Sequence, residues 1–298
     1  MLDSLEGLDA LVALRSFGTV SEAAVRLRLT QSAVSKRLRA LQDAVGFPLI
    51  EPDGRRVQLT AAALDFVERA QPLIAELRAL TRPTLAASPA SFRIALADSI
   101  ASSWGPGVVR EALRALPATR AELHAHRSVL VIESVRLGRY DIGLCTEATG
   151  VKDLLQHPVV DEPLVLVHAN LARTAARDLP LVTIEPTSAT WRAIEPALRA
   201  HHPAWLAGPT VFVESFGAVV QMARAGFGNG LVPLGLARGL GLTRRGYAAT
   251  GVHRRIALFT RKTVHQQPGY IALREQLTRA ATRAVPSGAS APARRRGA

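Results

Sequence analysis

Apolar residues fall in two different rhythms along the chain, and the first is helical. Leu5, Leu8, Leu11, Val12 and Leu14 recur at helical spacing and the stretch closes at Phe17-Gly18, so residues 4–17 read as an amphipathic helix. Ser21 is placed to cap a short second helix, whose Ala24 and Leu27 lead into Leu29. Thr30 is the expected N-cap of a longer third helix running to about Gly46, with Val34, Leu38, Leu41 and Val45 along its buried face. The next segment, PLIEPDGRRVQL, sets Pro52-Asp53-Gly54 between two short strand candidates, which predicts a hairpin. From Thr60 to about Leu80 the residues Ala63, Phe66, Ala70, Leu73, Leu77 and Leu80 step by threes and fours, as a coiled-coil seam does. Pro72 lies inside that helix and is expected to bend it; a single long core helix is the other reading of so short a pattern.

The rhythm changes after PTLAASPAS at 83–91, a small-residue, Pro/Ser-rich stretch that reads as a domain boundary. Beyond it, strand and helix patterns alternate: FRIALAD, then SSWGPGVVREALRAL, RAELHAH, VLVIESVRLGR, YDIGLCT and a strand at 159–168. A second set runs from LPLVTIE through ATWRAIEPALRAH, TVFVES, FGAVVQMARAG, NGLVPL and RRIALFTR to a last helix over Pro268–Ala284. The pattern predicts an N-terminal all-α unit with a hairpin wing over 1–60, a linker helix over 61–83, a hinge at 84–90 and a two-lobed α/β domain over 91–285. Lobe I takes about 91–165 and 262–285, and lobe II about 166–261; the low-complexity basic residues 286–298 read as a disordered tail.

Composition narrows the classes. Among 298 residues Cys145 is the only cysteine, which removes an intrachain disulfide and the cysteine clusters of structural zinc sites. The acidic N-terminal stretch is unlike a secretory leader and no apolar run reaches spanning length, so a soluble cytoplasmic protein without a membrane partner is expected. The net charge of +13 is unevenly placed: residues 166–285 carry fifteen basic and five acidic side chains, whereas residues 1–60 carry eight and seven. Charge alone is therefore poor evidence of nucleic-acid binding.

Pattern carries that case instead. The segment VSEAAVRLRLTQSAVSKRLRALQDAVG resembles the helix-turn-helix of the LysR-type transcriptional regulators: the small pair Ala23-Ala24, the Leu27-x-Leu29 joint, the Gln31-Ser32-Ala33-Val34-Ser35 start of the third helix, and Gly46. It departs from that family at Gln42, Ile50, Pro52 and Ala63, and so lacks one arginine of the wing. Small residues let crossing helices approach, Val34 and Leu38 anchor the third helix, and its other face is left for the major groove of double-stranded promoter DNA. Thr30, Gln31, Ser32, Ser35, Lys36 and Arg39 lie there, with Gln suited to adenine edges and Lys or Arg to guanine or phosphate. Arg55 and Arg56 at the hairpin tip are expected on flanking phosphates.

The same resemblance implies a periplasmic-binding-protein-like effector domain whose cleft holds a small molecule, with Ser99, Ser128 and Ser215 at the positions of the family's usual contacts. Turns at the carboxyl ends of parallel strands are where such lobes bind ligands, which adds Ser102 and Thr187 as candidates. Helix capping alone accounts for a serine at any of these turns. The basic excess of 166–285 points towards an anionic effector. A homodimer through the long helix, a homotetramer and contact with RNA polymerase are what the family implies, with no cofactor and no catalysis. His124-x-His126 and His201-His202 lack carboxylate or cysteine partners at ligand spacing, so no metal is expected. The glycines of AGFGNG at 225–230 end a helix and open a strand, which is a turn and no dinucleotide loop. Two other classes fit parts of the chain: a two-lobed binding protein or enzyme with a helical dimerisation appendage, and a non-specific architectural nucleic-acid protein.

Overall fold

The computed structural model describes residues 2–53, 56–80, 90–172 and 179–285. The hinge at 84–89, the tail and the wing-tip residue Arg55 lie outside the described residues, as does the side chain of Arg56. The chain divides into two compact units, one containing Met1–Thr84 and the other Leu85–Val135 and Tyr140–Ala298.

The first unit has helices α1 (Leu2–Phe17), α2 (Val20–Leu27) and α3 (Gln31–Val45), a hairpin of β1 (Ile50–Asp53) and β2 (Arg56–Leu59), and the long helix α4 (Ala61–Leu80). Thr19, not Ser21, caps α2: its side chain accepts from the Glu22 N–H, because Val20 is already helical and Ser21 lies inside the first turn. Thr30 caps α3 by accepting from the Ala33 N–H, and Gly46 closes α3 at a φ of 79°. The joint between α2 and α3 turns on Arg28, which holds a left-handed φ of 56° while its N–H bonds the Ala24 and Val25 carbonyls. A positive φ on a residue with a side chain is strained, and here the end of α2 and the half-buried Leu27 and Leu29 on either side impose it. Leu11, Leu14, Ala23, Val34, Leu38 and Leu49 make the core of this unit. Helices α1 and α3 approach so closely at Gly7 that a Cβ there would sit 2.8 Å from Leu41 Cβ. Ile50 pairs with Leu59 and Asp53 with Arg56 in the antiparallel hairpin. Helix α4 continues through Pro72 without interruption.

The second unit has β3 (Ala90–Ala97), α5 (Asp98–Ala101), α6 (Gly105–Arg114), β4 (Thr119–His126), α7 (Ser128–Arg136), β5 (Ile142–Thr146) and the long β6 (Leu155–Val167). It continues with β7 (Leu181–Ile184), α8 (Ala189–His201), α9 (Pro203–Ala207), β8 (Thr210–Val213), α10 (Phe216–Arg224), β9 (Asn229–Pro233) and α11 (Leu234–Gly239). It ends with the second long strand β10 (Tyr247–Thr260), α12 (Lys262–His265) and α13 (Tyr270–Ala284). Strand–helix–strand crossovers give parallel pairing of β3 with β4 and β5, and of β7 with β8 and β9. All eight strands form one sheet, in the order β4-β3-β5-β10-β6-β9-β7-β8, joined at its middle by the antiparallel pair β6 and β10.

Two cores flank that middle pair. Phe92, Ile94, Val131, Leu144, Ile256, Leu258 and Leu273 belong to one, and Leu166, Val182, Trp191, Ile194, Val220, Leu231 and Val252 to the other. Residues 256–259, expected with lobe II, therefore pack in the core of lobe I. Strand β10 runs unbroken from one core to the other, so its sequence pattern alone does not mark where one core stops and the next begins. The β6–β10 ladder shifts register between Ala249 and His253 and again between Ile256 and Ala257.

On the first core's flank, His157 stacks on His265 with ring centroids 5.4 Å apart and lies beside Tyr270. Burial, then the Arg274 charge, then His265 hold the His157 pKa below its usual value. The folded protein thus binds this proton less tightly than the unfolded chain, so neutral His157 stabilises above the ordinary histidine pKa. That contribution is lost as pH falls through about 6.5 towards the depressed folded value. The thermal midpoint of the second unit is expected to drop between pH 7.5 and 5.5, and the drop to shrink in His157→Gln; an identical pH profile for the variant would refute this.

Candidate DNA-reading helix and inter-lobe cleft

Helix α3 sorts its residues by face. Val34 and Leu38 are buried against α1 and α2, while Gln31, Ser32, Lys36 and Arg39 are exposed and Ser35 is half-buried at the edge. Arg37 turns back and pairs with Glu6 at 2.8 Å. Thr30 spends its hydroxyl on the α3 cap and on Ser32 Oγ at 3.0 Å, so it holds the start of the helix in place. The exposed face keeps Lys36 and Arg39 as cations beside the Gln31 amide.

In the second unit a cleft opens where strands of both lobes end. Its first wall is formed after β3 and β4 by Asp98, Ser99, Arg127 and Ser128, and its second after β7 and β8 by Ser188, Thr190, Glu214 and Ser215. Arg254 of β10 lies at its floor. The cavity volume is about 50 Å³, small beside the usual site of a drug-sized ligand. Arg127 clasps the cleft by pairing with Glu185 and, at 3.2 Å, with Glu214. Ser215 Oγ donates across it to Asp98 Oδ2 at 3.4 Å.

Arg254 is 1 % exposed and Glu162 is 0 % exposed. The two are cross-strand partners in the β6–β10 ladder. Arg254 donates to Glu162 Oε2 from Nε at 2.9 Å and from Nη2 at 2.7 Å. Nη2 also donates to Ser99 Oγ at 3.0 Å, and the guanidinium carbon lies 5.5 Å from the Phe216 ring centre. Trp104 Nε1 donates to the other oxygen, Glu162 Oε1, at 2.9 Å. Gly235 leaves the room for that bond, since a Cβ there would stand 2.6 Å from Glu162 Oε1. One buried cation thereby contacts α5 of lobe I and α10 of lobe II.

The five effector-site candidates separate. Ser99, Ser128 and Ser215 line the cleft. Ser102 and Thr187 are exposed and are not among the lining residues; Ser188 stands in the cleft wall beside Thr187. Ser188 and Ser215 also cap their helices, accepting from the Trp191 and Gly217 N–H groups. The pair at 124 and 126 is spent locally, His124 on Glu122 and His126 on Tyr140. Among the described residues no group of three metal-ligating side chains occurs, and no helix is long and apolar enough to cross a membrane.

Two family profiles match this arrangement: the bacterial regulatory helix-turn-helix protein of the lysR family over residues 5–64, and the LysR substrate binding domain over residues 87–282. The chain belongs to the LysR family. It is a LysR-type transcriptional regulator, with a helix-turn-helix DNA-binding domain and an effector-binding domain. Curated relatives include the Shigella flexneri regulator YfeR, 29% identical over 167 residues, a match that spans 54% of YfeR and 55% of this chain. A probable hydrogen peroxide-inducible genes activator of Streptomyces viridosporus is 27% identical, over 75% of this chain and 77% of that protein. Among solved structures, the LysR-family regulator CbnR superposes with a TM-score of 0.54 at 22% identity, covering 93% of this chain and 98% of that one. At such identity the likeness to CbnR speaks for the fold. The buried Arg254–Glu162 pair is the part of this LysR cleft that the sequence pattern does not announce.

Proposed function

We propose that this regulator reads promoter DNA with the outer face of α3 and answers a small-molecule effector held between its lobes. The observation that carries the reading is the division of α3 into a buried aliphatic face and an exposed Gln31, Ser32, Lys36 and Arg39 face of groove-compatible groups. On α4, the seam residue Leu73 is 65% exposed, which supports contact with a second copy there, while Ala63, Phe66 and Ala70 of the expected seam pack in the first unit's own core. A two-fold dimer sets two α3 helices on half-sites of an imperfect palindrome, and pairing of dimers gives a tetramer that engages RNA polymerase in the cytoplasm. Effector binding biases lobe closure and so changes DNA bending. Ser188 and Ser215 cap their helices and Ser99 accepts from Arg254, which supports a sensing role for the cleft hydroxyls.

Footprinting upstream of the protein's own gene tests the reading. Gln31→Ala or Ser35→Ala is expected to relax sequence choice by about 1–3 kcal/mol at the contacted base. Arg55→Ala is expected to weaken all sequences alike and to lower the salt dependence. Identical effects from both kinds of change would refute the division of roles, and indifference to every promoter fragment would refute the reading.

The peroxide response named for the Streptomyces relative does not carry over through thiol chemistry. Cys145, the chain's one cysteine, is fully buried in β5, and burial pushes its thiol far above the ordinary range while the Arg254 charge offsets only part. The native protein is expected to resist a thiol reagent such as DTNB until denaturant unfolds the second unit. Rapid native labelling would overturn this.

A further inference from the structure

We propose that Arg28, at the corner between α2 and α3, binds a DNA phosphate from a backbone position that favours glycine. The proposal rests on the reading that α3 lies in the major groove, and it concerns what fixes the helix there. The end of α2 dictates the backbone of this corner. The Arg28 N–H bonds the Val25 carbonyl at 3.2 Å and the Leu29 N–H bonds the Ala24 carbonyl at 3.0 Å, a paired closure that sets Arg28 in the left-handed region, at φ 56° and ψ 43°. Glycine takes that conformation without strain, and the same unit uses it beyond its two longer helices, Gly18 after α1 at a φ of 76° and Gly46 after α3 at 79°. Among the described residues, side chains stand at positive φ only at Arg28, Asn170 and Leu171. The backbone alone would select glycine at 28.

Nor does the fold use the side chain. Arg28 is exposed, and among the described residues no carboxylate pairs with it. Nearby arginines differ: Arg26 lies over the Phe17 ring at 5.2 Å, and Arg37 pairs with Glu6. The end of α2 attracts a cation, while the start of α3, capped two residues on by Thr30, repels one, so the two helix dipoles largely offset at this point. What the corner adjoins in a complex accounts for both the strain and the idle charge. In a helix-turn-helix the first helix of the pair crosses the sugar-phosphate backbone, and the second enters the groove with its N-terminal residues on the bases. The joint between them stands beside phosphates, and Arg28 is that joint, three residues before Gln31. A guanidinium there offers phosphate oxygens two parallel donors. Such a contact carries no sequence information; it fixes the register in which Gln31 and Ser32 meet the bases.

The test compares full-length Arg28→Gly, Arg28→Asn and Arg28→Lys with the unmodified protein. It reads the thermal midpoint of the N-terminal unit, and the affinity for the fragment upstream of the protein's own gene and for an unrelated duplex of equal length, from about 50 to about 200 mM salt. Glycine and asparagine both tolerate the left-handed backbone, so each is expected to raise the midpoint, glycine by about 4 °C. Both should weaken the two duplexes alike, about tenfold at the lower salt, the loss of one charge-assisted hydrogen bond. The slope of log affinity against log salt should fall by about 0.9, the share of one phosphate. Arg28→Lys keeps the charge and the strain, so it should recover most of the affinity with no gain in midpoint. A purely structural arginine predicts the reverse, stability and affinity falling together. Unchanged affinity and slope in the glycine and asparagine variants overturn the proposal and leave α3 as the reading helix, and so does a midpoint that falls in both. A loss confined to the upstream fragment, or a lysine variant that binds no better than asparagine, also overturns it. If the unmodified protein ignores both duplexes, the reading of α3 falls and the proposal with it.

Discussion

Arg254→Met is expected to destabilise the effector-binding unit by about 3–5 kcal/mol, the usual cost of removing one partner of a buried ion pair. The reason is the charge left behind. Glu162 has no exposed surface, and besides Arg254 it is held by the Trp104 indole, so its carboxylate would be buried with that one hydrogen bond or would take up a proton. The double variant Arg254→Met/Glu162→Gln should recover most of the loss. A glutamine oxygen still accepts from Trp104 Nε1, no charge remains, and the methionine fills much of the vacated volume. Urea denaturation of the three proteins measures it. If the double variant is no more stable than the single, the unpaired carboxylate is not the cause.

Leu38→Ala should be as severe for the other unit. Leu38 is 1% exposed between α1, α2 and α3, and truncating a buried leucine costs about 2–5 kcal/mol. A unit of this size has a total stability of the same order, so the helices would be largely unfolded at growth temperature. Promoter binding is expected to vanish while the effector-binding unit keeps its own melting transition. Retained sequence-specific binding would mean that α3 is held by something besides this core.

The N-terminal unit is legible in the sequence because its signals are local. Apolar spacing fixes the buried face of α3, Thr30 and Gly46 mark its ends, and Asp53-Gly54 marks the hairpin. The cap of α2 lies two residues before the expected Ser21, because Thr19 and Ser21 are both competent caps and only the backbone decides between them. Gly7 carries no signal either, since its role depends on how closely α1 passes α3.

The cleft is harder because its parts come from distant turns. Three of its serines stand out as hydroxyls at the ends of apparent strands, while Ser102 and Thr187 share that context and face elsewhere. The Arg254–Glu162 pair does leave a trace. Strand β6 carries the acidic doublet Asp161-Glu162 and β10 the basic doublet Arg254-Arg255, each within a mostly apolar run. Antiparallel pairing sets Arg254 against Glu162 and Arg255 against Asp161, one pair on each face of the sheet. The outward pair, 3.1 Å apart and about half exposed on each side, contributes little to stability; the inward pair governs the cleft. Recognising this needs the register of two strands about ninety residues apart, which no local pattern supplies.

The ladder of β6 and β10 has an evolutionary corollary. Val160 and Ile256 are opposite partners in the first core, so the chain departs from the first lobe and returns to it at adjacent points. Topologically, everything between them is a graft set into a hairpin. Exchanging that graft for a homologous one replaces a whole wall of the sensor in a single recombination, and the promoter-reading end is inherited untouched.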